Sequence, residues 1–190
     1  LKLLTKNHVY SKEMEHDACG VGAIVSTEGR KSRIIVDYGI EALKAVWHRG
    51  AVDADGKTGD GAGIHLEIPK DFFIEKIEVT GHDYDNSEIC VGMIFLPKND
   101  YSAQESCKTI VESELTKNNF SIYGWRQVPV NPKILGQKAL QTMPEIMQVL
   151  FKSNDKNLLD KNLERKIYET RKKIENKAFD ASLNLSLIHI

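Results

Sequence analysis

Between Trp47 and Ile68 the chain reads WHRGAVDADGKTGDGAGIHLEI, with glycines at positions 50, 56, 59, 61 and 63. Inside a helix each glycine would cost about 1 kcal/mol relative to alanine. Glycine belongs where the backbone takes a positive φ or comes close to another group. The segment therefore reads as a structured loop, expected after a helix and before a strand. A flexible exposed linker is the alternative, although linkers are seldom bounded by Trp-His-Arg and an apolar strand. Within the loop, Ala51-x-x-x-x-Gly56-Lys57-Thr58 fits a relaxed phosphate-binding pattern. That pattern works only between a preceding strand and a following helix whose N-terminus faces the phosphates. Here residues 32–47 carry helical spacing and residues 64–68 alternate like a strand before Pro69. The order is reversed, so nucleotide binding is not expected.

A second informative run is Cys19-Gly20-Val21-Gly22-Ala23-Ile24-Val25, preceded by eighteen residues. A cut between Ala18 and Cys19 would leave one residue with both a thiol and a free α-amine. An α-amine titrates near ~7.7–8 and a thiol near ~8.5, so the amine can act as base for its own sulfur. Alternatively, Cys19 is a small buried residue in a strand, as most lone cysteines are.

The 190 residues, 41% hydrophobic with a net charge of −1, suffice for one sizeable core. The near-neutral balance gives no sign of nucleic acid or an anionic membrane surface as a partner. No apolar run spans a bilayer, and the start, LKLLTKNHVYSKEMEHDA, is too charged for a secretory signal. Three cysteines, Cys19, Cys90 and Cys107, have no close pairing. That disfavours a disulfide framework or zinc cluster and suits a reducing cytoplasm; no metal site is expected.

Residues 20–25 read as a buried strand. Residues 32–47 read as a helix with Ile35, Tyr38, Ala42 and Val46 on one face, adjoined by Val36, Ile40, Leu43 and Trp47. So wide an apolar stripe predicts a covering sheet. Strands are expected at 64–68 and 89–96. A helix then follows, with Ser102 and Glu105 as a capping box, Cys107, Ile110, Val111 and Leu115 inside, and Asn118-Asn119 as its stop. Residues 120–130 form a further strand, in which Trp125 is expected in the core. The last element is a charged amphipathic helix at 156–177 with Leu159, Leu163, Ile167 and Ile174 inside; its Lys-rich outer face is expected to be solvated. Cys90 and Cys107, on apolar faces, are expected to be inert. Strands mixed with sheet-covering helices predict a layered α+β domain.

DACGVGAIV, EALKAVWHRGAVDADGKTGDGAGIH and YGWRQVPVNPKILGQKA together, in this order, resemble the amino-terminal glutaminase region of the glutamate synthase large subunit. That region is a class II glutamine amidotransferase, an N-terminal-nucleophile hydrolase, and the resemblance runs over about residues 19–173. It implies a four-layer αββα sandwich, a propeptide at residues 1–18 (with upstream read-through as an alternative), and Cys19 as the nucleophile. On this reading Cys19 attacks the side-chain amide of L-glutamine, ammonia leaves, and water resolves the thioester. Gly20 and Gly22 would leave room for substrate and close strand packing. Arg49 corresponds to an arginine beside the nucleophile, in a supporting role; a salt bridge to Asp53, Asp55 or Asp60 that only fixes the loop is the alternative. His48 is expected to be structural, and Asp60, between Gly59 and Gly61, to tie turn amides together.

The resemblance also implies ammonia transfer to 2-oxoglutarate in a synthase domain bearing FMN and an iron–sulfur cluster. Reducing equivalents would come from NADPH, through a small electron-transfer subunit, or from ferredoxin; the glycine loop favours the NADPH type. None of these cofactors has a binding motif in these residues. The glutaminase part is expected to occupy 19–177. Residues 178–190, ending LSLIHI, are expected to be an unmatched tail and a gene-model artefact. Without the oxyanion-hole and substrate-clamp strands the fragment is expected to lack turnover and to expose unpaired sheet edges. Two alternatives stand beside this: another class II amidotransferase making an aminosugar, a purine precursor or asparagine, and a non-catalytic scaffold in which Cys19 stays internal.

Overall fold

The computed structural model describes residues 20–47, 50–59, 61–155 and 161–189. They fall into two compact units, Leu1–Ile64 and His65–Ile190.

In the first unit, helix α1 spans Arg33–Ala45. It starts where Ser32 Oγ accepts a hydrogen bond from the Ile34 amide at 3.3 Å, an N-cap that satisfies one of the free amides of the first turn. Arg33–Asp37 and Lys44–Glu41 ion pairs brace its outer side. The helix agrees with the sequence reading, but its cover does not. Ile35, Val36, Ile40, Ala42 and Leu43 are half-buried, while Tyr38, Val46 and Trp47 are exposed, and α1 has no fully buried residue. The strands expected at 20–25 and 64–68 are also not formed. A strand exists only through its pairing, and the one ladder contact among the described residues of this unit is the Val52–Gly59 bridge. Val21 is accordingly 95% exposed where burial was expected.

The second unit is a mixed α/β layer built on one antiparallel sheet. Helix α2 spans Lys70–Val79, strand β1 Cys90–Leu96, helix α3 Tyr101–Lys117 and strand β2 Phe120–Gln127. A 3-10 turn at Pro132–Ile134 and helix α4, Gln137–Thr142, lead to strand β3, Glu145–Ser153. Helix α5, Lys161–Asp180, and strand β4, Ser186–His189, complete it. The strand order is β2-β3-β1-β4, with every neighbouring pair antiparallel.

Side chains alternate across a strand, and the register sorts them cleanly. Cys90 lies opposite Phe151 and Val91 opposite Leu150. Cys90, Ile94, Leu96, Phe151, Val149 and Leu187 face one layer, filled by Cys107, Val111 and Leu115 of α3 and Leu163, Ile167 and Ile174 of α5. On the other face Val91, Leu150 and Tyr123 pack with Phe73 and Ile77 of α2. Each fully buried aliphatic side chain contributes roughly 1.5–3 kcal/mol, so these two layers hold the unit together.

Local corrections have local causes. The N-cap of α3 is Asp100, whose carboxylate accepts from the Ala103 amide at 2.9 Å, and not the Ser102–Glu105 box. Buried Gln104 then ties this end of the helix to β1, donating to the Pro97 carbonyl at 2.7 Å. Asn118 and Asn119 end α3 as expected, Asn119 with φ 63°. Strand β2 is bulged: Ile122 pairs with Phe151 and Gly124 with Leu150, leaving Tyr123 as the additional residue. Gly124 has φ 151°, and a Cβ there would stand 2.7 Å from Thr80 Cγ2. The last helix keeps its predicted Leu163, Ile167 and Ile174 face but extends to Asp180; Leu159 lies outside the described residues. Residues 186–189, expected in an unmatched tail, pair with β1 and bury Leu187.

Candidate functional site

Four residues are the candidates of the sequence reading, and Cys19, Arg49 and Asp60 lie outside the described residues, as does His48. Gly20 is described and exposed. A Cβ at Gly22 would meet nothing within 4 Å, so the close strand packing expected there is not present.

The glycine loop itself is well defined between residues 50 and 59, and an aspartate organises it. Asp55 Oδ1 accepts from the amides of Lys57 at 2.9 Å and Thr58 at 2.7 Å, and Oδ2 from the Thr58 hydroxyl at 2.6 Å. The Asp53 amide donates to the Thr58 carbonyl at 2.7 Å, and Gly56 donates back to the Asp53 carbonyl at 2.9 Å. Gly56 sits at φ 68°, a conformation glycine adopts without steric cost. Asp53 Oδ1 accepts from the Ala54 amide at 2.6 Å. Asp55 and Asp53 thus tie turn amides together in this loop, while Asp60, expected in the same role, lies outside the described residues. The sequence signal for it was present in Asp53-Ala54-Asp55-Gly56, since aspartate beside glycine is a turn-forming pair.

This geometry differs from that of a phosphate-binding loop. The amides of Lys57 and Thr58, which a phosphate would need, are occupied by a carboxylate. Among the described residues after Thr58, the first helix begins at Lys70.

The second unit gathers polar groups at one end of its sheet. Asp85 forms an ion pair with Lys152 and accepts from the Tyr123 hydroxyl at 3.0 Å and the Ser87 amide at 3.2 Å. Lys152, then Ser87, holds the Asp85 carboxyl well below the usual carboxylate range. Burial, followed by the Asp85 hydrogen bond, raises the Tyr123 phenol. Thr80 Oγ1 lies 2.8 Å from the Tyr123 carbonyl and 2.6 Å from that of Ile77. The cluster pins the α2–β1 connection to the bulge in β2.

Trp125 is half-buried against the core, as expected, and its indole N–H donates to Glu112 Oε1 at 2.7 Å. Arg126 donates to Gln148 Oε1 at 2.7 Å and stacks over Phe72, 5.1 Å from the ring centroid. Both residues are committed to internal contacts. Cys90 is pushed up to about 12, first by burial and then by Glu88, and burial also raises Cys107. Both thiols are shielded from solvent and held in the protonated form. Among the described residues no group of three or more His, Cys, Asp or Glu is placed to hold a metal ion, and no helix is long and apolar enough to cross a membrane.

Comparison with known proteins adds what the geometry leaves open. The family described as "Glutamine amidotransferases class-II" matches residues 19–187. The chain is 49% identical, over 181 residues, to "Glutamate synthase [NADPH] large chain" of Azospirillum brasilense, covering 95% of this chain and 12% of that protein. It is 39% identical over 175 residues to "Ferredoxin-dependent glutamate synthase" of Pyropia yezoensis, covering 92% and 11%. It is also 40% identical over 162 residues to "Ferredoxin-dependent glutamate synthase 1, chloroplastic/mitochondrial" of Arabidopsis thaliana, covering 85% and 10%. The chain therefore spans between 10% and 12% of the length of these relatives.

Proposed function

The chain belongs to the class II glutamine amidotransferases, and from that premise we propose that it is glutaminase sequence of a glutamate synthase. The observation that carries this reading is where the family match begins, at Cys19. An N-terminal-nucleophile enzyme must start at its nucleophile. In this reading residues 1–18 are a propeptide and glutaminase sequence runs from Cys19 through the matched residues, to 187.

In the proposed reaction the α-amine of Cys19 takes the thiol proton and the thiolate attacks the side-chain amide carbon of L-glutamine. The amine returns that proton to the departing nitrogen, which leaves as ammonia, and a thioester remains. Water adds to the thioester, glutamate leaves and the thiol is regenerated. Gly20 leaves room beside the sulfur. Arg49 supports the site through charge-assisted hydrogen bonds, and Asp60 helps to shape the loop. The four-layer αββα sandwich is the architecture we assign. The four-stranded sheet with α3 and α5 on one face is compatible with one half of such a sandwich, while α2 covers part of the opposite face.

Ammonia then passes to 2-oxoglutarate elsewhere in the protein, where FMN and an iron–sulfur cluster deliver electrons. We assign NADPH as donor, acting through a small electron-transfer subunit, because identity is higher to the NADPH relative, 49%, than to the ferredoxin relatives, 39% and 40%. Cys90 and Cys107 are buried in one apolar layer and do not suit cluster ligation. A cytoplasmic location fits the cysteine usage.

The test is covalent trapping in the full-length protein. An electrophilic glutamine analogue is expected to label Cys19 at a mature N-terminus, with excess glutamine blocking it. An intact Ala18–Cys19 bond in active enzyme would refute the mechanism.

A further inference from the structure

We draw no further inference here: the strongest candidate, the apolar side chains Ile34, Tyr38, Val46 and Trp47 left exposed along α1 and just past its end, carries nothing, because nothing in the structure shows what covers them.

Discussion

A thiol attacks as its thiolate, so the burial that pushes Cys90 up to about 12 keeps it protonated across the physiological range. Cys107, fully enclosed between α3 and the sheet, is raised by the same cause. In the folded chain both are expected to resist iodoacetamide at pH about 8 and to react promptly once urea unfolds the sheet, as peptide mass mapping would record. Rapid alkylation of either in the native protein would contradict the packing described. Their burial was legible in the sequence, because both stand at apolar positions of periodic segments. The loop aspartates were legible only as a group. Which of Asp53, Asp55 and Asp60 ties the turn depends on hydrogen-bond angles that no spacing rule encodes, and the described bonds fall to Asp53 and Asp55.

At the scale of elements, the start of α3 separates two readings of one short string. Asp100 and Ser102 both offer an oxygen to free amides, but only the Asp100 carboxylate reaches one, at Ala103. Asp100→Ala is expected to cost about 1 kcal/mol of stability, and Ser102→Ala almost nothing, when urea midpoints are compared. The reverse order would restore the capping box. Strand β3 was missed for a different reason. Its Val149, Leu150 and Phe151 are all buried because both faces of the sheet are covered there. A strand buried on both sides loses its alternation and looks like any short apolar run. Helix α2 escaped because only Phe73 and Ile77 of its ten residues are buried, too few to make a stripe.

For the whole molecule, acid stability is the measurable sum of its ion pairs. Lys152 and Ser87 lower Asp85, and Lys177 with Lys117 lowers the largely enclosed Glu114, which joins α3 to α5. A carboxylate lowered in the folded state contributes stability above its unfolded pKa, about 4, and loses it as pH falls through the folded value. Urea midpoints should therefore be level above pH about 5 and fall below it, with a shallower fall in Asp85→Asn. An identical acid profile in that variant would show that the pair carries no linkage.

The sequence alone determined the helices α1, α3 and α5, the strands β1 and β2, and the family to which the chain belongs. Those follow from local periodicity and from strings long enough to be specific. Tertiary structure decided the strand order, the central place of β3, the use of residues 186–189 as an edge strand, and which aspartates close the loop. Each of these is a pairing between residues distant in the chain or a choice among equivalent local donors. Such a choice is settled by burial and hydrogen-bond geometry, which exist only once the chain has folded.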